Sequence, residues 1–426
     1  MTTTIAPTSS DTLRPNDLVC RLCKTPTPAA PVAICEHCLG PLDPAPNPDR
    51  VLPSRAVIES RAQSLWRYLE WLPFEGKPVH SLDTGFTPLV EAPRLAKRLG
   101  VAKCWVKNDA VSHPTLSFKD RVVATAINAA HAFGLDTIGC ASTGNLANAV
   151  AAHAARAGLK AWIFIPADLE QGKVIGTQVY GPNLVRITGT YDDVNRLCAQ
   201  IADHYGWGIV NVNLRGYYGE GSKTMAFEIA EQLGWRLPTA VVAPMAGGSL
   251  VTKLRKGFRE FTEAELVQGT APRIYGTQAL GCAPIVNLVE RDLDAIEPVV
   301  PNTIARSIAI GNPADGMFAK RAIVETGGSA AGVAEEAIVD GIRTLAEEVG
   351  IFTETAGGVT VAGALKLAQQ GRFRADDEVV LCITGQGLKT VEAVIDPSLR
   401  PLPEAPVIAP RLREVKALVA SMESRT

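Results

Sequence analysis

Short apolar segments alternate with helical segments from about residue 100 almost to the end of the chain. The segments "TIGCA", "AWIFIP" and "AVVAP" are typical of strands that are buried on both faces, and a stretch with helical spacing follows each of them. Parallel strands need long crossover connections, usually helices, which then cover both faces of the sheet. The alternation therefore predicts an α/β protein with doubly wound parallel sheets.

The charge and the hydropathy of the chain exclude several kinds of partner. The 426 residues carry a formal net charge of −2, which predicts no binding of nucleic acid or of an anionic membrane surface. No apolar run reaches the ~18 residues of a membrane span. The first residues, "MTTTIAPTSSDTLRPNDLV", lack the apolar core of a secretory signal. Together with five scattered, core-like cysteines, these features predict a cytoplasmic protein with reduced thiols.

Two Cys-x-x-Cys pairs, "CRLC" and "CEHC", lie close together near the N-terminus. Eleven residues separate the pairs, and four thiolates at such spacing suit a tetrahedral Zn²⁺ ion. Disulfide bonds are the alternative, but the expected reducing compartment disfavours them. We therefore predict a structural zinc ribbon whose metal ligands are Cys20, Cys23, Cys35 and Cys38.

Three turns that are rich in glycine or hydroxyl groups each follow a predicted strand. The turn "STGN" begins a helix at Ser142, and its N–H groups could hold an anion such as a carboxylate. The turn "MAGGS" at 245–249 allows the backbone to approach a phosphate closely, and "ITGQG" places Thr384 at a strand end. Each turn alone could be a simple helix cap or loop. In parallel sheets, however, ligands bind at the carboxyl ends of strands, so the three turns could meet in one cleft.

A lysine in "HPTLSFKDR" lies where a strand gives way to a helix. Pyridoxal phosphate needs a lysine for a Schiff base, a cradle for its phosphate and a partner for its ring nitrogen. The lysine and the three turns together resemble the fold-type II pyridoxal-phosphate enzymes. Several segments, among them "KNDAVSHPTLSFKDRVV", "ASTGNLANAVAAHAA", "NVNLRGYYGEGSKTMAFEI" and "TGQGLK", resemble the threonine synthase family over roughly residues 60 to 395.

The resemblance implies roles for particular residues. Lys119 would be the Schiff-base and catalytic lysine, Asn145 would lie against the ring oxygen of the cofactor, and Thr384 would meet the pyridine nitrogen. Ser142 and Thr143 would hold the substrate carboxylate. The cofactor phosphate would bind the loop formed by Met245, Ala246, Gly247, Gly248 and Ser249.

The resemblance also implies the reaction. Members of the threonine synthase family convert O-phospho-L-homoserine and water to L-threonine and phosphate, which makes this chain a pyridoxal-phosphate-dependent lyase. The phosphate of that substrate needs cations of its own, because burying a dianion without them is costly. Our candidates are Arg215, Lys107 and Lys223. We also expect a homodimer.

The same features predict a domain organisation. Residues 1–50 would form the zinc ribbon and a linker that ends in "PLDPAPNPDR". Residues 51–118 and 214–400 would form a large cofactor-binding domain, and 119–213 a small domain. Residues 401–426 would form a C-terminal tail or helix.

Two alternatives to threonine synthesis stay open at the level of sequence. One is another fold-type II activity, namely a threonine or serine dehydratase or a cysteate synthase-like enzyme that acts on phosphoserine. The other is a zinc-ribbon adaptor for nucleic acid with a degenerate enzyme domain, which the near-neutral charge and the intact Lys119 disfavour.

Overall fold

The computed structural model describes residues 13–189, 191–399 and 401–423. Four parts of the predicted domain organisation therefore lie outside the described residues. They are residues 1–12 of the N-terminal segment, residue 190 of the small domain, residue 400 at the end of the large domain, and residues 424–426 of the tail.

The secondary structure is numbered here in chain order. The strands are β1 (Arg14–Pro15), β2 (Leu18–Cys20), β3 (Pro26–Thr27), β4 (Leu42–Pro44), β5 (Phe74–Glu75), β6 (Leu89–Glu91), β7 (Lys103–Asn108), β8 (Thr137–Ala141), β9 (Lys160–Pro166), β10 (Asn183–Ile187), β11 (Gly208–Ile209), β12 (Ala240–Pro244), β13 (Arg273–Ala279), β14 (Ala330–Val333) and β15 (Glu378–Ile383). The α-helices are α1 (Arg55–Glu59), α2 (Pro93–Leu99), α3 (Lys119–Ala132), α4 (Asn145–Ala157), α5 (Gln171–Gln178), α6 (Tyr191–Tyr205), α7 (Arg215–Glu220), α8 (Thr224–Gln232), α9 (Ser249–Glu263), α10 (Pro284–Glu290), α11 (Gly316–Glu325), α12 (Glu335–Val349), α13 (Thr355–Gln369), α14 (Glu392–Ile395) and α15 (Leu412–Glu423).

Two sheets form the body of the molecule. The larger has six strands in the order β14-β13-β12-β15-β7-β6, and all neighbours are parallel except β6 and β7. The smaller has four parallel strands in the order β10-β9-β8-β11. These parallel sheets confirm the α/β class that the alternation of apolar strands and helices predicts.

The strands of the two sheets occupy different parts of the chain. The larger sheet uses residues 89–108 and 240–383, whereas the smaller sheet uses residues 137–209. We propose, on this basis, that the large domain comprises 51–118 and 214–400 and the small domain 119–213. The homodimer stays a prediction.

Helices α3 and α4 begin and end where the sequence indicates. Both follow strand-end turns, and left-handed glycines come after their last turns, Gly134 with φ 68° and Gly158 with φ 69°. Their facing sides are rich in alanine and valine, and the two helices pack against each other in the main core. Each buried valine contributes roughly 1.5–3 kcal/mol relative to an exposed one. The packing fixes the first turns of both helices beside each other.

The segment 57–74 differs from its prediction. Helical spacing there predicts one helix that ends before Pro73, but α1 ends at Glu59 and a 3₁₀ helix covers Leu65–Trp71. Ser54 and Ser64 each cap the start of one short piece with their hydroxyl groups. A serine that caps a second helix interrupts the first one, so the spacing of the apolar residues alone does not predict the break between them.

The four-cysteine segment forms a small antiparallel sheet with the strand order β3-β2-β4. Strand β4 lies against α7, where a Cβ atom at Gly216 would come within 2.9 Å of the Leu42 carbonyl oxygen. Only glycine permits that approach without a shift of the backbone. The hydroxyl of Tyr217 also donates to the carbonyl of Asn16 at 2.9 Å. The ribbon is therefore seated directly on α7.

Helix α15 follows an extended segment and most of its residues are exposed. The assignment of residues 401–426 to a separate C-terminal tail or helix stays a prediction. Among the helices in the described ranges, none is both long enough and apolar enough to cross a membrane.

Candidate active site

A cleft opens at the carboxyl ends of β8, β12 and β15, where parallel sheets place their ligands. It consists of two adjoining cavities of about 80 and 160 Å³, here called the inner and the outer cavity. Lys119, Asn145 and Tyr218 line both of them, as does Gly247. The lysine and the three sequence-predicted turns thus meet in one place.

Lys119 is the first residue of α3 and lies between the two cavities. Its Nζ atom donates to the hydroxyl of Tyr218 over 3.2 Å. The preceding residue, Phe118, donates its N–H to the carbonyl of Thr384 at 2.9 Å. The main chain at the start of α3 is therefore tied to the end of β15, next to the predicted ring-nitrogen site.

The turn at 142–145 forms the start of α4. Ser142 Oγ accepts from the N–H of Gly144 at 2.9 Å and from the N–H of Ala147 at 2.8 Å. Thr143 Oγ1 donates to the carbonyl of Ser307 at 3.3 Å. Gly144 has a φ of 124°, a conformation that favours glycine. Ser142 Oγ thus accepts from the first turn of α4, although the N-cap residue is Gly144, and both Ser142 and Thr143 line the outer cavity.

Asn145 is held between two charged side chains that the sequence interpretation missed. Its Nδ2 donates to Glu354 Oε1 at 2.7 Å, and its Oδ1 accepts from Lys389 Nζ at 3.2 Å. Burial lowers the pKa of Lys389 to about 8, against the opposing attraction of Glu354. Lys389 belongs to the quoted segment "TGQGLK", but Glu354 lies in no motif, so only the fold could place it here.

The loop 245–249 ends at the start of α9, a helix without a side-chain cap. Within the described part of the chain, the N–H groups of residues 246–250 have no hydrogen-bond partner. A Cβ atom on Gly247 would meet only Ile310 Cδ1 at 3.9 Å, so the main chain is open to the cleft there. Gly248 has a φ of 92°. Met245, by contrast, is buried in the core and lines neither cavity.

Thr384 follows β15 and lines the inner cavity. Its hydroxyl makes no hydrogen bond to any of the described residues, although the residue is only 9% exposed. Glu354 Oε2, which is buried beside the same cavity, also lacks a partner there. Buried polar groups are normally satisfied, so the unpaired Glu354 Oε2, with the Thr384 hydroxyl at the same cavity, indicates a polar ligand.

These groups fit pyridoxal phosphate. The cavity offers an amine at Lys119, a set of unpaired N–H groups at a helix N-terminus for a phosphate, and an unpaired hydroxyl at Thr384. The open face at Gly247 leaves room for the phosphate to approach the main chain.

Arg215 is the one predicted substrate-phosphate cation that reaches the cleft. It is the first residue of α7, and its Nη2 lies 2.6 Å from Asp315 Oδ2. Although burial opposes its charge, the carboxylate of Asp315 raises the pKa of Arg215 above its ordinary value. The guanidinium thus stays charged at the wall of the outer cavity.

The structure does not bring Lys107 or Lys223 to the cleft, which corrects their predicted placement. Lys107 Nζ is fully buried, 2.6 Å from Glu228 Oε2 and 2.6 Å from the carbonyl oxygen of Thr87. Lys223 Nζ lies 2.6 Å from Glu220 Oε2 and is also buried. A buried ammonium needs a fixed counter-charge. Both lysines therefore belong to internal ion pairs.

The four predicted metal ligands lie together in the ribbon. The Sγ atoms of Cys20 and Cys38 are 3.4 Å apart, those of Cys23 and Cys35 are 3.7 Å apart, and all four lie within 4.8 Å of one another. Four thiols this close could hold one metal ion. A hydrogen bond with the Thr25 side chain lowers the pKa of Cys23 to about 6, which favours the thiolate form that binds metals.

The ribbon also reaches the active site, which the sequence interpretation did not foresee. Arg21, between Cys20 and Cys23, lines the outer cavity, and so does Asp43 of β4. Arg21 Nη1 lies 2.6 Å from Asp315 Oδ1. One carboxylate of Asp315 thus bridges two arginines, Arg21 and Arg215, that are distant in the sequence.

The sequence is similar to those of known enzymes over most of its length. Residues 80–385 match the family described as "Pyridoxal-phosphate dependent enzyme". The threonine synthase of Methanocaldococcus jannaschii is 36% identical over 352 residues, which cover 82% of this chain and 86% of that protein. The threonine synthase of Synechocystis is 37% identical over 365 residues, which cover 83% and 91%.

Solved structures share the fold at lower identity. Diaminopropionate ammonia lyase from Escherichia coli matches with a TM-score of 0.62 at 19% identity, covering 74% of this chain and 88% of that one. Threonine deaminase isoform 2 from Solanum lycopersicum matches with a TM-score of 0.59 at 23% identity, covering 71% and 79%. These likenesses establish the fold of the two sheets.

The fold, the lysine and the family match define a pyridoxal-phosphate-dependent enzyme of fold type II, and the chain belongs to that family. Within it the chain groups with the threonine synthases, several of which are 35–37% identical over most of its length. The resemblance drawn from the motifs is thereby confirmed, and the chain is a lyase.

Proposed function

We propose that this enzyme is a threonine synthase, which converts O-phospho-L-homoserine and water to L-threonine and phosphate. The observation that carries the proposal is the presence of two groups suited to anions, one on each side of Lys119. The unpaired N–H groups of residues 246–250 lie at the inner cavity, and Arg215 lies at the outer one. A dehydratase needs only the cofactor phosphate site, whereas a phosphorylated substrate needs both.

The inner cavity suits the cofactor. When bound, pyridoxal phosphate supplies an aldehyde that exchanges amines and a conjugated ring that withdraws electrons from the attached amino acid. We assign its phosphate to residues 246–249, its ring nitrogen to Thr384 Oγ1 and its ring oxygen to Asn145 Nδ2. A neutral hydroxyl at Thr384 leaves that nitrogen free to lose its proton, unlike a carboxylate.

The outer cavity suits the substrate. Ser142 and Thr143 at the start of α4 would hold the substrate carboxylate through the N–H groups of Thr143, Asn145 and Leu146, which have no partner among the described residues, and Arg215 would hold its phosphate. Helix α4 then orients one end of the amino acid and α7 the other, with the reacting carbons between them.

Lys119 is the group that can move protons in this reaction. The overall change removes protons from Cα and Cβ, expels phosphate from Cγ, adds the hydroxyl of water at Cβ, and returns protons to Cγ and Cα. Lys119 Nζ would take and return these protons once it is a free amine, and Tyr218 OH, 3.2 Å away, would hold that amine in position.

We also propose that the four cysteines of the ribbon bind one Zn²⁺ ion with a structural role. The support is the set of four Sγ atoms within 4.8 Å of one another, together with the doubled Cys-x-x-Cys spacing. All four positions around the ion would be filled by protein ligands, which is typical of structural rather than catalytic zinc.

A substrate panel tests the proposed reaction. The cofactor-loaded enzyme is incubated with O-phospho-L-homoserine, O-phospho-L-serine, L-threonine and L-serine, while released phosphate, threonine and keto acids are measured. We expect equal amounts of phosphate and threonine from O-phospho-L-homoserine alone, and the Lys119→Ala variant supplies the background. Keto acid from threonine or serine without phosphate release would instead identify a dehydratase, and turnover of phosphoserine a cysteate synthase-like enzyme.

A further inference from the structure

We infer that Arg21 of the cysteine ribbon is a substrate-binding residue, which forms with Arg215 a site for the phosphate group of the substrate. This inference rests on the proposed function, because it assumes a phosphorylated amino acid in the outer cavity. It gives the ribbon a second role, since the metal would then position a residue that determines specificity.

The first argument is the position of the two guanidinium groups. Arg21 Nη1 and Arg215 Nη2 each lie 2.6 Å from a different oxygen of the Asp315 carboxylate, and both side chains line the outer cavity. Asp315 is 5% exposed, so its place is fixed by the fold. The two arginines are therefore held side by side at one wall, as binding a phosphate by two residues requires.

The second argument is the unused hydrogen-bonding capacity of these arginines. A guanidinium carries five N–H donors. Among the described residues, Arg215 uses only Nη2 and Arg21 only Nη1 in side-chain hydrogen bonds. Their side chains are 17% and 29% exposed for Arg21 and Arg215, so the remaining donors are not sealed in the core. An incoming phosphate could thus bind without displacing Asp315.

The third argument is the charge of the surrounding network. The carboxylates of Asp43, Glu220 and Glu260 join Asp315 in a continuous set of ion pairs on this side of the cleft. Four carboxylates face five cations, so one positive charge is in excess before an anion binds. The cations are Arg21, Arg215, Lys223, Lys253 and Lys256.

The fourth argument is the way the ribbon holds Arg21. The residue lies between two predicted metal ligands, and its N–H donates to the carbonyl of Pro41 at 2.9 Å. Its guanidinium is also 3.7 Å from the centre of the Phe318 ring. The main chain is fixed by Cys20 and Cys23 on either side, so Arg21 would be properly placed only when the ribbon is folded.

The experiment measures binding of inorganic phosphate to the cofactor-loaded enzyme by calorimetry, next to steady-state kinetics with O-phospho-L-homoserine. We expect Arg21→Gln to weaken phosphate binding about 10-fold and to raise KM by a similar factor, while kcat changes less than about 3-fold. The visible band of the lysine-bound cofactor and the metal content should not change. Arg21→Lys keeps the charge but loses the planar fork, so it should recover only part of the affinity.

Arg321→Gln is the matched control. Arg321 also lies over the Phe318 ring, at 6.0 Å, but its side chain is 61% exposed and does not line the outer cavity. This variant should bind phosphate like the wild type. A variant without the metal, Cys23→Ser, should weaken phosphate binding as Arg21→Gln does, because it releases the turn that carries Arg21.

The outcomes separate this inference from the proposed function. Wild-type phosphate affinity and KM in a folded Arg21→Gln protein would overturn the inference, and turnover of O-phospho-L-homoserine would still support the proposed function. An enzyme that neither binds phosphate nor uses O-phospho-L-homoserine would overturn both. If the substrate is used but inorganic phosphate binds equally well to Arg21→Gln and Arg215→Ala, the site lies elsewhere and the inference is wrong.

Discussion

The inner and outer ends of the cleft present different chemical groups to an anion. At the inner end, main-chain N–H groups of residues 246–250 and the hydroxyl of Thr384 face the cavity. At the outer end, the guanidinium groups of Arg21 and Arg215 surround the carboxylate of Asp315. Neutral main-chain donors at a helix N-terminus suit the phosphate of a cofactor that remains with the enzyme, and the two side-chain cations suit the phosphate of a substrate.

The two ends also differ in how far apart their residues are in the sequence. The cofactor-binding turns of the inner end each follow one strand, so their geometry follows from neighbouring residues, whereas Glu354 reaches that cavity only through the fold. The outer end combines the ribbon, the start of α7 and the segment before α11, and it exists only after these parts have packed together. A change at the inner end should therefore act on the cofactor, and a change at the outer end on the substrate.

The largest effect should come from Lys119→Ala, which removes the amine that both cavities share. We expect no visible band from lysine-bound cofactor and a loss of activity of at least ~10²-fold, since Lys119 is the one lysine in the described part of the chain that lines both cavities. Absorption spectra and phosphate release check this. Lys97→Ala, at an exposed position near the end of α2, is the control and should retain both. An unchanged spectrum of Lys119→Ala would show that Lys119 is not the residue that binds the cofactor.

The next effect should come from the double variant Cys20→Ser, Cys38→Ser. We expect metal content to fall from one ion per chain to none, because two of the four clustered thiols are lost. The ribbon should become sensitive to proteolysis, and KM for the phosphorylated substrate should rise about 10-fold, the equivalent of ~1.4 kcal/mol. Cofactor binding at the inner end should not change.

Cys198→Ala serves as the control for the cysteine variant, because Cys198 is buried in α6 and belongs to no cysteine cluster in the described ranges. It should keep its metal and its KM. Full metal occupancy in the double variant would rule out these ligands. A loss of cofactor binding in the double variant would show that the two ends of the cleft are not independent.

A pair of glycine variants sharpens the description of the inner end. Gly247→Ala should weaken binding of pyridoxal phosphate about 10-fold without changing the free energy of unfolding of the cofactor-free protein, because its methyl group would point into open space. Gly248→Ala should lower that free energy by ~1–2 kcal/mol, since an alanine is strained at a φ of 92° and its Cβ would lie 3.0 Å from the Asp315 carbonyl oxygen. Titration with cofactor measures the affinity, and titration with denaturant measures the free energy of unfolding. Equal behaviour of the two variants would contradict an open main chain at Gly247.

The sequence predicts the inner end well for a physical reason. Parallel strands buried on both faces leave long apolar runs, and the turns that follow them need glycine or a capping hydroxyl, so "STGN" and "MAGGS" are visible as motifs. Even there, one detail escapes the pattern. Met245 belongs to the motif, yet it packs into the core, because alternate residues at a strand end face opposite sides.

The outer end could not be predicted in the same way. A cation in a sequence looks the same whether it faces water, a ligand or a buried carboxylate. Lys107 illustrates this, because its partner Glu228 is more than a hundred residues away and comes close only through the packing of α8. Arg21 lies in a motif that indicates metal binding, so nothing local suggests that its side chain reaches across to Asp315.

The last variant, Arg215→Ala, tests whether the outer end acts on the substrate alone. We expect an unchanged band of lysine-bound cofactor and a kcat/KM for O-phospho-L-homoserine at least ~10-fold lower, a change of about 1.4 kcal/mol in the barrier. The variant should fold, because Asp315 keeps its ion pair with Arg21 and no carboxylate is left buried without a partner. Steady-state phosphate release at low and high salt is the measurement, and the difference from the wild type should shrink because salt screens the charge of Arg215 in the wild type. Arg196→Ala, an exposed change in α6, is the control. Wild-type kinetics in Arg215→Ala would mean that this arginine only holds Asp315, and the substrate phosphate would then have to be bound by other groups of the outer cavity.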